Sequence, residues 1–118
     1  MQSLDQKRAK FAWECVQETN KEYRNLAKSM PAMVMTNGLM QTLAFLEGKN
    51  DAHHRKLVKD VLNWLSKNNL LEDQTNFSKA MSTFYEMESI KYQRATEEAL
   101  AILRWIRQLA DAAAKGEQ

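Results

Sequence analysis

The stretch Ile90-Lys-Tyr-Gln-Arg-Ala-Thr-Glu-Glu-Ala-Leu-Ala-Ile-Leu-Arg-Trp-Ile-Arg-Gln-Leu-Ala-Asp-Ala-Ala-Ala114 decides the fold class of this 118-residue chain. Ala95, Ala99, Ile102, Ile106, Leu109 and Ala113 recur at spacings of 4-3-4-3-4, the stripe of one helical face. Glu97 and Glu98 come early and Arg104 and Arg107 late, the sense favoured by the helix dipole. Ser89 is the predicted cap. A helix this long needs other helices to cover its stripe. With only three glycines and one proline, the rest of the chain is short of turns and rich in helix formers. The sequence therefore predicts an all-α fold: a compact single-domain bundle of about five helices over 1–118, frayed at 1–3 and 115–118.

Outward from that helix, four more are predicted. Ala12, Val16, Thr19, Tyr23, Leu26 and Met30 repeat the same spacing and predict one first helix from Leu4 to Lys28. Ser29 reads as an N-cap and Pro31 as a first-turn residue of a second helix. That helix, Ala32 to Glu47, is apolar on nearly all faces and ends at Gly48 and Asn50. Asp51 caps a third, running to Lys67 with Leu57, Val58, Val61, Leu62 and Leu65 inward. Leu70 to Asn76 reads as a connector folded back on the core, and Phe77 to Met87 as a fourth helix using Met81, Phe84 and Tyr85.

Ser29 to Leu46 runs 18 residues without a charge, the lower limit for a membrane span, but only 11 of them are apolar. A buried helix of a soluble protein is the expectation, with no membrane partner. The opening residues show no secretory pattern. One cysteine, Cys15, beside the apolar stripe, reads as a core thiol and fits a reducing, cytoplasmic setting.

Charge is uneven. Residues 1–30 carry six Lys/Arg against four acids, and residues 72–99 carry six acids against three Lys/Arg. A basic front end suits contact with a polyanion, and the asymmetry suits an assembly subunit. Lys10, Lys21, Arg24 and Lys28 would align on one continuous first helix. For catalysis the sequence offers little. His53 and His54 are the only histidines and stand next to each other, where their directions diverge by about 100°. They read as polar residues of a helix start, so no metal, cofactor or catalytic residue is predicted. A small nuclease using Asp51, His53 and His54, and a generic helical adaptor, are the rival readings.

Two further stretches carry a resemblance. Tyr23-Arg-Asn-Leu-Ala-Lys-Ser-Met-Pro-Ala-Met-Val-Met-Thr-Asn-Gly-Leu-Met-Gln-Thr-Leu-Ala-Phe-Leu46 and Tyr92 to Arg107, with Gln6-Lys-Arg-Ala9 and Ala12-Trp13, resemble the small α-helical subunit of type III-B CRISPR effectors, the Cmr complex. Lys49 to Ser89 carries no such match. The resemblance implies a non-catalytic subunit that lines the filament beside repeat-type backbone subunits, the large subunit and neighbouring copies of itself. It also implies a role in holding target RNA beside the guide RNA. Carried onto this chain, it nominates Arg8, Lys28 and Arg94 for RNA contact, with Lys7, Arg104 and Arg107 behind them. These cations are expected on solvated helix faces. Pro31, Thr36, Asn37, Gly38 and Gln41 are expected to serve structure, Gly38 by close backbone approach and Asn37 by burying against a helix end.

Overall fold

A reciprocal cap starts the chain. Ser3 Oγ accepts from the Gln6 amide at 3.1 Å while Gln6 Oε1 accepts from the Ser3 amide at 2.7 Å. This launches α1 (Leu4–Val16) in the computed structural model, which describes residues 1–73 and 75–116. The helix expected to run to Lys28 stops at Val16. Glu18 takes a left-handed φ of 59°. Gln17 Nε2 donates to Trp13 O and Thr19 Oγ1 to Val16 O, both at 2.9 Å, satisfying carbonyls freed by the break. Asn20 then caps α2 (Lys21–Asn37) by accepting from the Tyr23 amide at 2.9 Å. The hydrophobic stripe spans the break because both helices turn their apolar sides to one core. The supposed alignment of Lys10 with Lys21 is lost.

Pro31 does not start a helix; it lies buried inside α2. Nor is Ser29 a cap, since its hydroxyl donates to Leu26 O at 3.1 Å. A mid-helix proline costs about 3 kcal/mol through its missing N–H. Burial of Tyr23, Ala27, Met30 and Val34 along the same helix offsets that cost.

The uniformly apolar helix expected over Ala32–Glu47 is cut in two at Gly38. With φ 87° and ψ 164°, Gly38 ends α2 and opens α3 (Leu39–Lys49). Its amide donates to Val34 O at 2.8 Å, and its carbonyl accepts from Thr42 Oγ1 at 2.8 Å. Tyr92 Oη, reaching over from the last helix, accepts from the α3 first-turn amide of Met40 at 3.1 Å. Nothing stands within 4 Å of where a Cβ on Gly38 would sit, so close approach is not its role; the backbone angle is. Thr36, Asn37 and Gln41 are exposed, and Asn37 buries against nothing. Because this φ/ψ region is essentially reserved for glycine, Gly38→Ala should cost about 1–3 kcal/mol, read as a lower melting temperature. An unchanged melting temperature would show that the bend does not depend on glycine.

Gly48 stays inside α3, and Asn50, at φ 60°, ends it. Asp51 stands at the N-cap of α4 (Ala52–Lys67), but its side chain makes no cap bond. Leu57, Val58, Val61, Leu62 and Leu65 face inward as read, and Trp64 is buried with them. Leu70 and Leu71 fold back on the core from the connector. Asn76 caps α5 (Phe77–Glu86) by accepting from the Lys79 amide at 2.8 Å. Met81 and Phe84 point inward, whereas Tyr85 is 73% exposed, contrary to expectation.

The last helix, α6 (Ser89–Gly116), includes Ser89 as its first residue rather than its cap. It still holds Lys115 and Gly116, where fraying was expected; residues 117–118 of that expected tail lie outside the described residues. Among the described residues, six helices thus replace the five expected. Ala95 and Ala99 are fully buried on α6, and these small residues let it pack against α1, α2 and α4 together. One cluster of buried side chains draws on all six helices. Among the described residues no helix is long and apolar enough to cross a membrane.

Candidate nucleic-acid interface

The seam between α1 and α6 fixes the basic residues. Arg8 forks onto Glu98, with Nε to Oε1 at 2.7 Å and Nη2 to Oε2 at 2.8 Å. Trp64 Nε1 donates to the same carboxylate at 2.9 Å, and Trp105 Nε1 donates to Asp5 Oδ1 at 3.0 Å. These pairings run α1 antiparallel to α6 and tie in α4. Arg8's hydrogen bonds hold the Glu98 carboxyl below its usual range, and Trp64 adds to the effect. Arg8 is therefore a brace with its fork occupied, not the solvated cation expected.

Glu98 titrates lower in the folded chain than in the unfolded one. Its contribution to stability is complete above the ordinary glutamate value of about 4.3 and is lost as pH falls through the lower folded value. Arg8→Ala should cost about 1.5–3 kcal/mol near neutral pH, the range for hydrogen bonds to charged groups. In thermal melts as a function of pH, the gap to the parent chain should narrow on acidification below about 4.3. A gap that stays constant to pH 2 would refute the pairing.

Beside this brace lies a cleft of about 320 Å³. Phe11 and Trp64 pack with ring centroids 5.0 Å apart at its floor, and Lys67 Nζ stands 5.2 Å over the Phe11 ring. Lys7 and Lys10 from α1 and Lys67 from α4 rim it; all three are exposed, and Glu14 is the one acid among its described lining residues. This arrangement offers exposed cations above a largely sheltered aromatic surface, the chemistry that suits phosphates along a chain of nucleotides. Lys67 was not among the nominated residues. Its distance from Lys7 in sequence is spanned only by packing α4 beside α1.

The other nominated cations sit elsewhere. Lys28 on α2 pairs loosely with Asp111 on α6 at 3.5 Å, with both side chains near half exposed. Arg104 reaches Met35 Sδ at 3.9 Å, again across α2 and α6. Arg107 and Arg94 are exposed on α6. The nominated set therefore does not lie together: Lys7 rims the cleft, Arg8 braces α1 to α6, Lys28 and Arg104 meet partners across α2 and α6, and Arg94 and Arg107 stand exposed on α6.

Two clusters lie away from the cleft. In the core, Tyr23 Oη donates to Asp60 Oδ2 at 2.7 Å, while Lys56 Nζ donates to the same oxygen at 2.7 Å and to Cys15 O at 2.8 Å. Burial, reinforced by the Asp60 charge, pushes the Cys15 thiol up to about 12, so it is a core thiol as read. The second is the histidine pair at the α3–α4 corner, where the expected divergence fails. The His53 and His54 rings approach to 4.3 Å between centroids. Cβ directions do diverge along a helix, but side-chain torsions swing both rings back toward Asp51. His54 Nδ1 lies 3.6 Å from Asp51 Oδ2. Desolvation, then the neighbouring His53, lowers the His54 pKa below its ordinary value, favouring neutral imidazole.

Fold and surface define a small all-α protein that carries a lysine-rimmed cleft lined by Phe11 and Trp64. The chain belongs to the Cmr5 family of CRISPR-associated proteins: the family model described as CRISPR-associated protein (Cas_Cmr5) matches residues 4–113. It is 32% identical over 117 residues to the CRISPR system Cmr subunit Cmr5 of Thermus thermophilus, covering 95% of this chain and 96% of that one. It also superimposes on the crystal structure of a CRISPR-associated Cmr5 family protein from Thermus thermophilus with a TM-score of 0.77 at 28% identity, over 95% and 97% of the two chains. The family match spans Lys49 to Ser89, a segment in which no motif carried the resemblance.

Proposed function

We propose that this chain is the non-catalytic small subunit of a type III-B CRISPR RNA-guided effector complex. It works in the cytoplasm as a single helical domain. Its partners are the repeat-type backbone subunits, the large subunit, neighbouring copies of itself, and the target RNA held beside the guide RNA. Membership of a family whose relative is a Cmr subunit supports the setting. The observation that carries the RNA role is the cleft: Lys7, Lys10 and Lys67 converge over Phe11 and Trp64. Lys28, Arg94, Arg104 and Arg107 supply a second set of exposed cations for the strand or its neighbours. Arg8 supports the cleft from behind through Glu98 and Trp64.

A helical adaptor that docks protein alone is the second reading. Met35, Tyr85 and Ile90, exposed at 68%, 73% and 73%, favour protein contacts and fit either reading. Copurification separates the two. Expressed with the other genes of its locus, the chain should bring down those subunits together with RNA of guide length. Recovery of protein partners free of RNA would leave only the adaptor.

A further inference from the structure

We infer that the α3–α4 corner is a binding site for a divalent transition-metal ion of the zinc class, held by Asp51, His53 and His54. Each offers one ligand atom, and the three atoms lie within 4.8 Å of one another. The decisive distance is the 3.6 Å between His54 Nδ1 and Asp51 Oδ2. It is too long for a hydrogen bond. Two ligands each about 2.0–2.1 Å from a zinc ion at the tetrahedral angle stand about 3.4 Å apart, close to what is found. His54 Nδ1 is also shut off from solvent and has no hydrogen-bond partner among the described residues. With the imidazole proton on Nε2, the Nδ1 lone pair would stand opposite that carboxylate oxygen, and a cation between the two would resolve the opposition. His53 offers the third ligand atom, within 4.8 Å of the other two, and its ring must rotate inward to close on the ion, leaving the fourth tetrahedral position to water.

The surroundings limit affinity without excluding the ion. Asp51 spends no lone pair on capping α4, so its carboxylate is available. Against a cation stand the positive end of α4, Lys49 and Arg55. The Lys49 ammonium lies 5.2 Å from the Phe45 ring, which in turn meets His54 edge-on at 6.4 Å, and Arg55 is turned onto Asn50. Two imidazoles and one carboxylate suit zinc, nickel or copper rather than magnesium or calcium, which prefer all-oxygen sets.

The test uses the untagged full chain, stripped with chelator and titrated with zinc chloride at about pH 7.5. Calorimetry should show one ion per chain, and the NMR ring signals of both histidines should move together. Asp51→Asn, His53→Gln and His54→Gln should each weaken binding by roughly tenfold or more. The exposed Asp51 and half-buried His53 keep the test meaningful if the His54 variant folds poorly. Magnesium at the same concentration should leave the ring signals in place. Zinc binding undiminished in all three variants would put the ion elsewhere and overturn the site. Ring signals that titrate with pH but ignore zinc would reduce the corner to an Asp51–His54 ion pair, and likewise overturn it. Neither readout depends on RNA or on assembly, so the site stands or falls apart from the proposed function.

Discussion

Replacing Asp60 by Ala should lower the stability of this protein by about 3 kcal/mol, because it strips two donors of their shared acceptor. Tyr23 is 1% exposed, and its hydroxyl donates to Asp60 at 2.7 Å. With the carboxylate gone, that hydroxyl is left buried and unpaired, at a cost of about 1–3 kcal/mol. Lys56 loses its ion pair as well, although its side chain is 39% exposed and water recovers part of the loss. The melting temperature should fall by roughly 10 °C. Asp60→Asn keeps an acceptor for Tyr23 and should cost less. A double-mutant cycle makes the assignment sharp. In Tyr23→Phe the hydroxyl is absent, so removing Asp60 from that background should cost distinctly less than removing it from the parent chain. Strictly additive losses would show that the two side chains do not act on each other.

The second large effect concerns target RNA, and it rests on the proposed function. With Lys7, Lys10 and Lys67 all changed to Ala, the assembled complex should hold its target more weakly and with a flatter salt dependence. Each phosphate neutralised on a single strand contributes about −0.7 to the slope of log affinity against log salt. Three lost contacts flatten that slope by about 2. If the two complexes bind equally at about 1 M salt, the loss at about 0.15 M is roughly 50-fold. It should be similar for different target sequences, since phosphate contacts position a strand without reading its bases. All three lysines are exposed, so folding should change by no more than about 1 kcal/mol. A control triple of Lys28, Arg104 and Arg107 probes the α2/α6 side. If the cleft variant assembles and keeps the parent slope while the control loses it, the strand runs along α2 and α6 instead. Unchanged slopes in both would reduce the chain to protein bracing.

The motif resemblance located the family from about half the chain, and the structural likeness to the Thermus thermophilus protein extends over the remainder. The surroundings expected for single residues transferred less well. Arg8 sits inside a matched stretch, yet its fork is taken by Glu98, 90 residues away in sequence. The histidine pair makes the same point: helical spacing sets where Cβ points, and the torsions beyond it decide where the ring nitrogens meet.

The helical class, most of the inward faces and the family were all legible in the residues alone. They rest on local chemistry: the 4-3-4-3-4 stripes, the scarcity of glycine and proline, and two motif stretches. The last helix could be read almost to its ends because its stripe is long and unbroken. Where helices break and which charges meet was settled only by packing. The stripe from Ala12 to Met30 survives the turn at Gln17–Asn20 because burial, not helix continuity, selects apolar residues. The Thr19-Asn20 pair, with Asn20 as a cap, was the available signal there. Pro31 stays inside α2 because the packing around it outweighs its local cost. Lys67 joins Lys7 and Lys10 only when α4 lies against α1, and Glu98 removes Arg8 from the free cations only when α6 lies beside it. Electrostatic partnership depends on distance in space, and for these residues that distance is set by how the helices pack.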